Sequence, residues 1–202
     1  MKRYVRFGAE QEEALRLFHP LAAPSFPRIM EEFYVRLDQH PEARRVFTGE
    51  DQRSRLRLAL IAWMNRLLAG PWDEEYYRMR TQIGRMHVRV GLPQRYMFGA
   101  MNLIRSRLLD VVEQELAADP RGLHRTREAV DRILDLELAI MLDTYQEAFL
   151  DKTQHDERLA KSVLEARLAM TEARYREIVE MAEVLIATMD GDGTVDLINR
   201  RC

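Results

Sequence analysis

Cysteine is nearly absent from this chain: of 202 residues only the terminal Cys202 is one. That excludes an internal disulfide framework and any cysteine-based zinc site, and it suits a reducing compartment. A surplus of positive charge is missing as well, since 31 lysines and arginines face 33 acidic residues for a formal charge of -2. Nothing here draws the chain electrostatically onto nucleic acid. Long apolar runs are also lacking. The longest uncharged stretch near the middle, Leu58 to Asn65, is far too short to cross a bilayer, and the opening MKRYVRFGAEQEE has no signal-peptide core. We expect a cytoplasmic protein that contacts neither membrane nor nucleic acid. Catalytic signatures are equally scarce: there is no phosphate-cradling glycine loop, no His-Glu-x-x-His, no Gly-x-Ser-x-Gly, and no cysteine near a histidine. DGDGTVDLINRR, from Asp190, has the opening acids of a calcium loop, but Val195 and Arg201 stand where that loop needs glycine and a bidentate acid.

What is present is helical. Proline and glycine are few in the first half, and between them apolar residues recur at spacings of three and four. A first helix is expected over Glu10 to Phe18, stopping at His19-Pro20 because the residue before a proline resists helical geometry. A second covers Pro27 to Leu37 with Ile29, Met30, Phe33, Tyr34 and Leu37 on one stripe, a third Asp51 to Leu68, and a fourth Asp73 to Val90. Pro93 then suits the first position of a fifth helix reaching about Ala118, since its missing N–H would be unpaired there anyway. After ADPRG a sixth helix meets no proline or glycine until Gly191, so it is expected to run well past a globular body of about 150 residues. Leu159, Val163, Ala166, Met170 and Ala173 alternate four and three apart along it, a short coiled-coil seam, with a solvated single helix as the alternative. Two strand-like runs around Gly191 signal a hairpin. A lone hairpin is hardly stable, so the sequence is expected to stop inside a second domain.

Five histidines are candidates for chemistry, and no two share the short helical spacing of a dedicated metal pair. His19 and His40 precede prolines at helix ends, His124 lies among arginines, and His155 lacks the remainder of a phosphoacceptor box. His87, in IGRMHVRVGLPQRY, sits among aliphatic side chains. Spacing alone leaves two readings: a core histidine bonded to a carbonyl, or a ligand. Tyr34 is open in the same way, as packing or as an inward hydroxyl donor. An all-helical body holding both is the composition a haem pocket requires.

Four segments carry a resemblance: LRLFHPL (15–21), EEFYVRLDQHPEARRVF (31–47), RLRLALIAWMNRLLAGPWDEEYY (55–77) and IGRMHVRVGLPQRYMFGAMN (83–102). With them, residues 1–150 resemble the sensor globin domain of the globin-coupled sensors. The last segment is the most specific, meeting Ile-Gly-x-x-His-x-x-x-Gly-Leu-Pro at every position, with the aromatic Tyr96 following. The resemblance implies an all-α globin fold, haem b (iron protoporphyrin IX) as cofactor, His87 as the proximal iron ligand and Tyr34 as the distal residue. Ile83, Met86 and Val90 would flank the ligand and keep water from the porphyrin. Gly84 would permit close approach to the macrocycle, or to another helix. Phe47 is the candidate aromatic on the haem edge, and Leu56 and Ala59 would line the distal wall. Some members of the family carry a threonine near the Ala59 position, which leaves Tyr34 as the polar contact here. A hydroxyl there favours polar dioxygen over apolar carbon monoxide.

The implied function is a haem-based dioxygen sensor domain that also accepts carbon monoxide or nitric oxide. It is a regulatory rather than catalytic part, and it relays its state through a homodimer made by the last two globin helices, Leu103 to Val112 and Ile133 to Phe149. Residues 151–174 would be a helical linker. Residues 175–202 resemble the opening of an α/β PAS domain, and a histidine kinase or cyclase output would follow. Two alternatives stand beside this: a haem-free helical dimerisation module, and a haem globin for nitric oxide detoxification.

Overall fold

The computed structural model describes residues 2–181 and 187–198. It contains α1 (Ala9–Ala22), a 3-10 turn (Ala23–Ser25), α2 (Phe26–Asp38), α3 (Pro41–Arg44), α4 (Glu50–Ala69), α5 (Glu74–Arg89), α6 (Gln94–Glu115) and α7 (Pro120–Met181). These are followed by the strands β1 (Ala187–Met189) and β2 (Val195–Ile198). The chain divides into two compact units, 1–149 and 150–202.

In the first unit α1 packs on α4 and α6, and α2 packs on the same pair. Leu15, Phe18, Phe26, Ile29, Met64, Leu67, Leu68, Leu108, Ile133 and Leu134 are fully buried between the helices. Each such side chain contributes roughly 1.5–3 kcal/mol on burial. The expected stop at His19-Pro20 is wrong: α1 runs through Pro20 to Ala22. Pro20 and Arg16 face solvent, so the carbonyl left without its N–H partner can be hydrated, while Leu15, Phe18 and Ala22 hold the opposite face in the core. Pro93 sits one residue outside α6, its ψ of 136° marking the extended residue before the helix. The short α3 was not anticipated; its four residues are too few for a periodic signal.

Asp73 caps α5, its Oδ1 accepting from the Tyr76 N–H at 2.9 Å. Asp119 does the same for α7, accepting from the Gly122 N–H at 3.0 Å. In the second unit α7 carries the seam side chains Leu159, Val163 and Met170 exposed. The hairpin pairs β1 with β2 antiparallel, and its turn is closed by the Asp192 and Thr194 N–H groups donating to Asp190 Oδ1 at 3.0 and 2.9 Å. Gly193 takes a φ of +85° there, the left-handed region that side chains disfavour. No helix among the described residues is long and apolar enough to cross a membrane.

Candidate functional site

His87 lies in the last turn of α5, half-buried. Its ring Nδ1 is sealed from solvent and meets no hydrogen-bond partner among the described residues. A buried polar atom left unpaired is costly, a cost that a partner for the imidazole would offset. Burial also pushes its pKa below the ordinary histidine value, so the ring is neutral and keeps a lone pair to offer. Immediately after it the backbone reverses: the Leu92 N–H donates to the His87 carbonyl at 3.0 Å, and Gly91 adopts a φ of +70°. That conformation is why glycine suits this position in Gly-Leu-Pro.

Around His87, Ile83 is half-buried, whereas Met86 and Val90 are 50% and 38% exposed. Val90 lines an open cleft of about 280 Å³ with Val46, Arg45, Arg95, Glu42, Gly91 and Pro93. Tyr96 stands by the same cleft, its hydroxyl donating to Glu42 Oε2 at 3.0 Å and its ring 5.5 Å from that of His40. Gly84 serves α5 against a neighbouring helix: an added Cβ would collide with the Thr144 side chain of α7.

On α2, Tyr34 is buried, 5.1 Å from the Phe33 ring and 6.2 Å from that of Phe47. Desolvation raises its pKa above the ordinary tyrosine value, so its hydroxyl stays a proton donor. The structure thus brings Tyr34 and Phe47 together. It leaves Leu56 and Ala59 of α4 exposed. Where sequence reasoning left Tyr34 as the sole polar group, α4 adds a cation: the Arg57 guanidinium lies 5.1 Å from the Tyr34 ring centre, while its NH1 donates to Glu31 at 2.7 Å. Arg53 stands 5.5 Å from the Phe47 ring centre and pairs with Asp38 at 2.6 Å.

A second group escaped the sequence reading altogether. Arg80 of α5 and Glu137 of α7, 3% and 0% exposed, form a buried ion pair with Nε 2.9 Å from Oε1. Tyr76 donates its hydroxyl to the same carboxylate, and the Arg80 guanidinium lies 4.5 Å from the Tyr76 ring centre and 5.1 Å from that of Trp63. Burial pushes the Glu137 carboxyl above the usual carboxylate range, with Arg80, Tyr76 and Trp63 pulling it back. Its Oε2 makes no aligned hydrogen bond among the described residues. The signal was in the sequence: one acid, Glu137, inside the otherwise apolar LELAIML, and an arginine two helical turns before His87.

A family model described as Protoglobin matches residues 1–150. The heme-based aerotactic transducer HemAT of Halobacterium salinarum is 26% identical over 196 residues, covering 88% of this chain and 40% of that protein. The chain thus spans less than half the length of that relative. Among solved structures, the globin domain of a Geobacter sulfurreducens globin-coupled sensor is 35% identical with a TM-score of 0.67, covering 71% of this chain and 94% of that one. The ferric globin domain of E. coli DosC shares the fold at 16% identity and a TM-score of 0.57, covering 69% of this chain and 93% of its own.

Proposed function

This chain belongs to the protoglobin family, and from that premise we propose that its globin domain senses a diatomic gas at haem b held by His87. The observation that carries the reading is the His87 imidazole: neutral, with a buried Nδ1 unpartnered among the described residues, in the last turn of α5, ahead of the Gly-Leu-Pro reversal. The residues present fit the group. His87 offers a nitrogen lone pair, Ile83, Met86 and Val90 offer apolar surface that a flat macrocycle would cover, and Arg45 offers a charge suited to its carboxylates. Once bound, haem supplies an iron that coordinates dioxygen, carbon monoxide or nitric oxide reversibly. The chain's part is selection. Tyr34 holds its proton, and Arg57 beside the ring favours negative charge developing on that side, so a polar ligand gains more than an apolar one. Phe47 stands beside Tyr34, Leu56 and Ala59, exposed in this chain, would line the distal wall against bound haem, and Tyr96 would flank its far side through its bond to Glu42.

We read residues 1–150 as the sensor domain, 151–174 as a helical linker and 175–202 as the start of a PAS-like segment, in a cytoplasmic homodimeric transducer. The apolar side chains Leu103, Ile104, Leu108, Val111 and Val112 are already inside the protomer's own core. The dimer face therefore falls on the outer side of α7, where Leu142 and Phe149 are exposed. The test is titration of the purified chain with haem. A Soret band that shifts with dioxygen, carbon monoxide and nitric oxide supports the sensor, a featureless spectrum supports the haem-free module, and multiple rapid nitric oxide cycles support detoxification.

A further inference from the structure

We propose that Arg80 and Glu137 are positioning residues for His87, a buried charge clamp that fixes α5 on α7 and thereby the direction in which the imidazole is presented. The inference rests on the reading of His87 as an iron ligand. It begins from a cost. Both charges are out of water, and an apolar pair of similar volume commonly gives equal or greater stability at such a site, so stability alone does not account for the pair. What an ion pair adds is one permitted register, because sliding or rotating either helix pulls apart two opposite charges held out of water.

Placement says which register is being held. Arg80 precedes His87 by seven residues, two helical turns, and so lies on the same face of α5. Gly84, between them, is pressed against Thr144 of α7, whose own hydroxyl donates to the Met141 carbonyl at 2.7 Å. Beyond His87, the Tyr145 hydroxyl of α7 donates to the Leu92 carbonyl at 2.7 Å. His87 is thus bracketed by contacts to one helix, at 80 and 84 before it and at 92 after it. Glu137, Met141 and Thr144, all buried, form the facing stripe on α7. Of these contacts the ion pair is the one between two buried charges, and the Arg80 guanidinium is further confined by a bond to the Tyr76 hydroxyl at 3.3 Å and by the rings of Tyr76 and Trp63, 4.5 and 5.1 Å away.

The test uses the full chain with Cys202→Ser as background and nitroxide labels at Gln82→Cys and Gln146→Cys, both exposed positions. The double substitution Arg80→Met with Glu137→Leu removes both charges and keeps the volume. Glu137→Asp keeps the charge but withdraws the carboxylate by one methylene, and it serves where the double variant does not fold. In haem-free protein we expect the interlabel distance distribution roughly to double in width with the double variant and to shift with Glu137→Asp, helical content being unchanged. In haem-loaded ferrous protein the iron–histidine stretching band broadens or moves in both. Unchanged distances in folded variants overturn the clamp. Altered distances with an unmoved band overturn its role in positioning His87, leaving it structural. A wild-type chain that takes up no haem overturns the functional reading and the positioning role together, and the haem-free distances then show whether the clamp exists without a ligand to present.

Discussion

Helix α5 brings His87 against α7 through a charge pair sealed from water, Arg80 and Glu137 being 3% and 0% exposed. Helices α2 and α4 bring Tyr34 beside Arg57 and Arg53, whose partners Glu31 and Asp38 reach the surface. The surroundings of these two residues therefore answer to different physics. A buried pair cannot rearrange without leaving a charge unsolvated, so the surroundings of His87 are built to hold one geometry. Surface pairs exchange partners with water at little cost, so the surroundings of Tyr34 are open to tuning.

The sharpest break of this contrast is Glu137→Ala, which strands Arg80 and should cost about 3–5 kcal/mol in urea unfolding. A loss below about 1 kcal/mol would put the proximal pair in the same class as the distal ones. Gly84→Ala pushes a methyl into Thr144 and should cost about 1–3 kcal/mol, read as a lowered melting temperature. Tyr34→Phe removes the hydroxyl that the proposed function assigns to bound dioxygen, which should then dissociate about five- to thirtyfold faster in flash photolysis, with carbon monoxide much less affected. Because burial raises the Tyr34 pKa above its ordinary 10, the wild-type dioxygen rate should stay flat as pH rises from 7 towards 10. A rate that climbs in that interval would mean the neighbouring arginines outweigh burial. Smallest of all, Glu31→Ala frees Arg57 at the surface and should change stability by no more than about 1 kcal/mol.

Much of this arrangement was readable in the sequence, for reasons that differ by residue. The helices of the body follow from apolar spacing, and α7 from the long interval without proline or glycine. Pro20 misled because a proline's effect depends on which face it occupies, and exposure is a tertiary property. Met86, Val90, Leu56 and Ala59 carry the apolar pattern expected of pocket walls, yet they are exposed in the chain by itself. Periodicity marks a face without saying what will cover it. Glu137 and Arg80 were missed because charged residues are read as solvated by default, and only packing reveals a pair that is not. Arg57 was missed for a related reason: its neighbour Tyr34 is on another helix, and nothing in the spacing of either links them.

The central claim is that the imidazole of His87 binds the haem iron, and replacing it with a cavity tests this most directly. Wild-type chain should take up one haem with a sharp Soret band, His87→Gly should lose that spectrum, and added imidazole should restore it. A His87→Gly protein whose haem spectrum matches the wild type, with or without imidazole, would contradict the account.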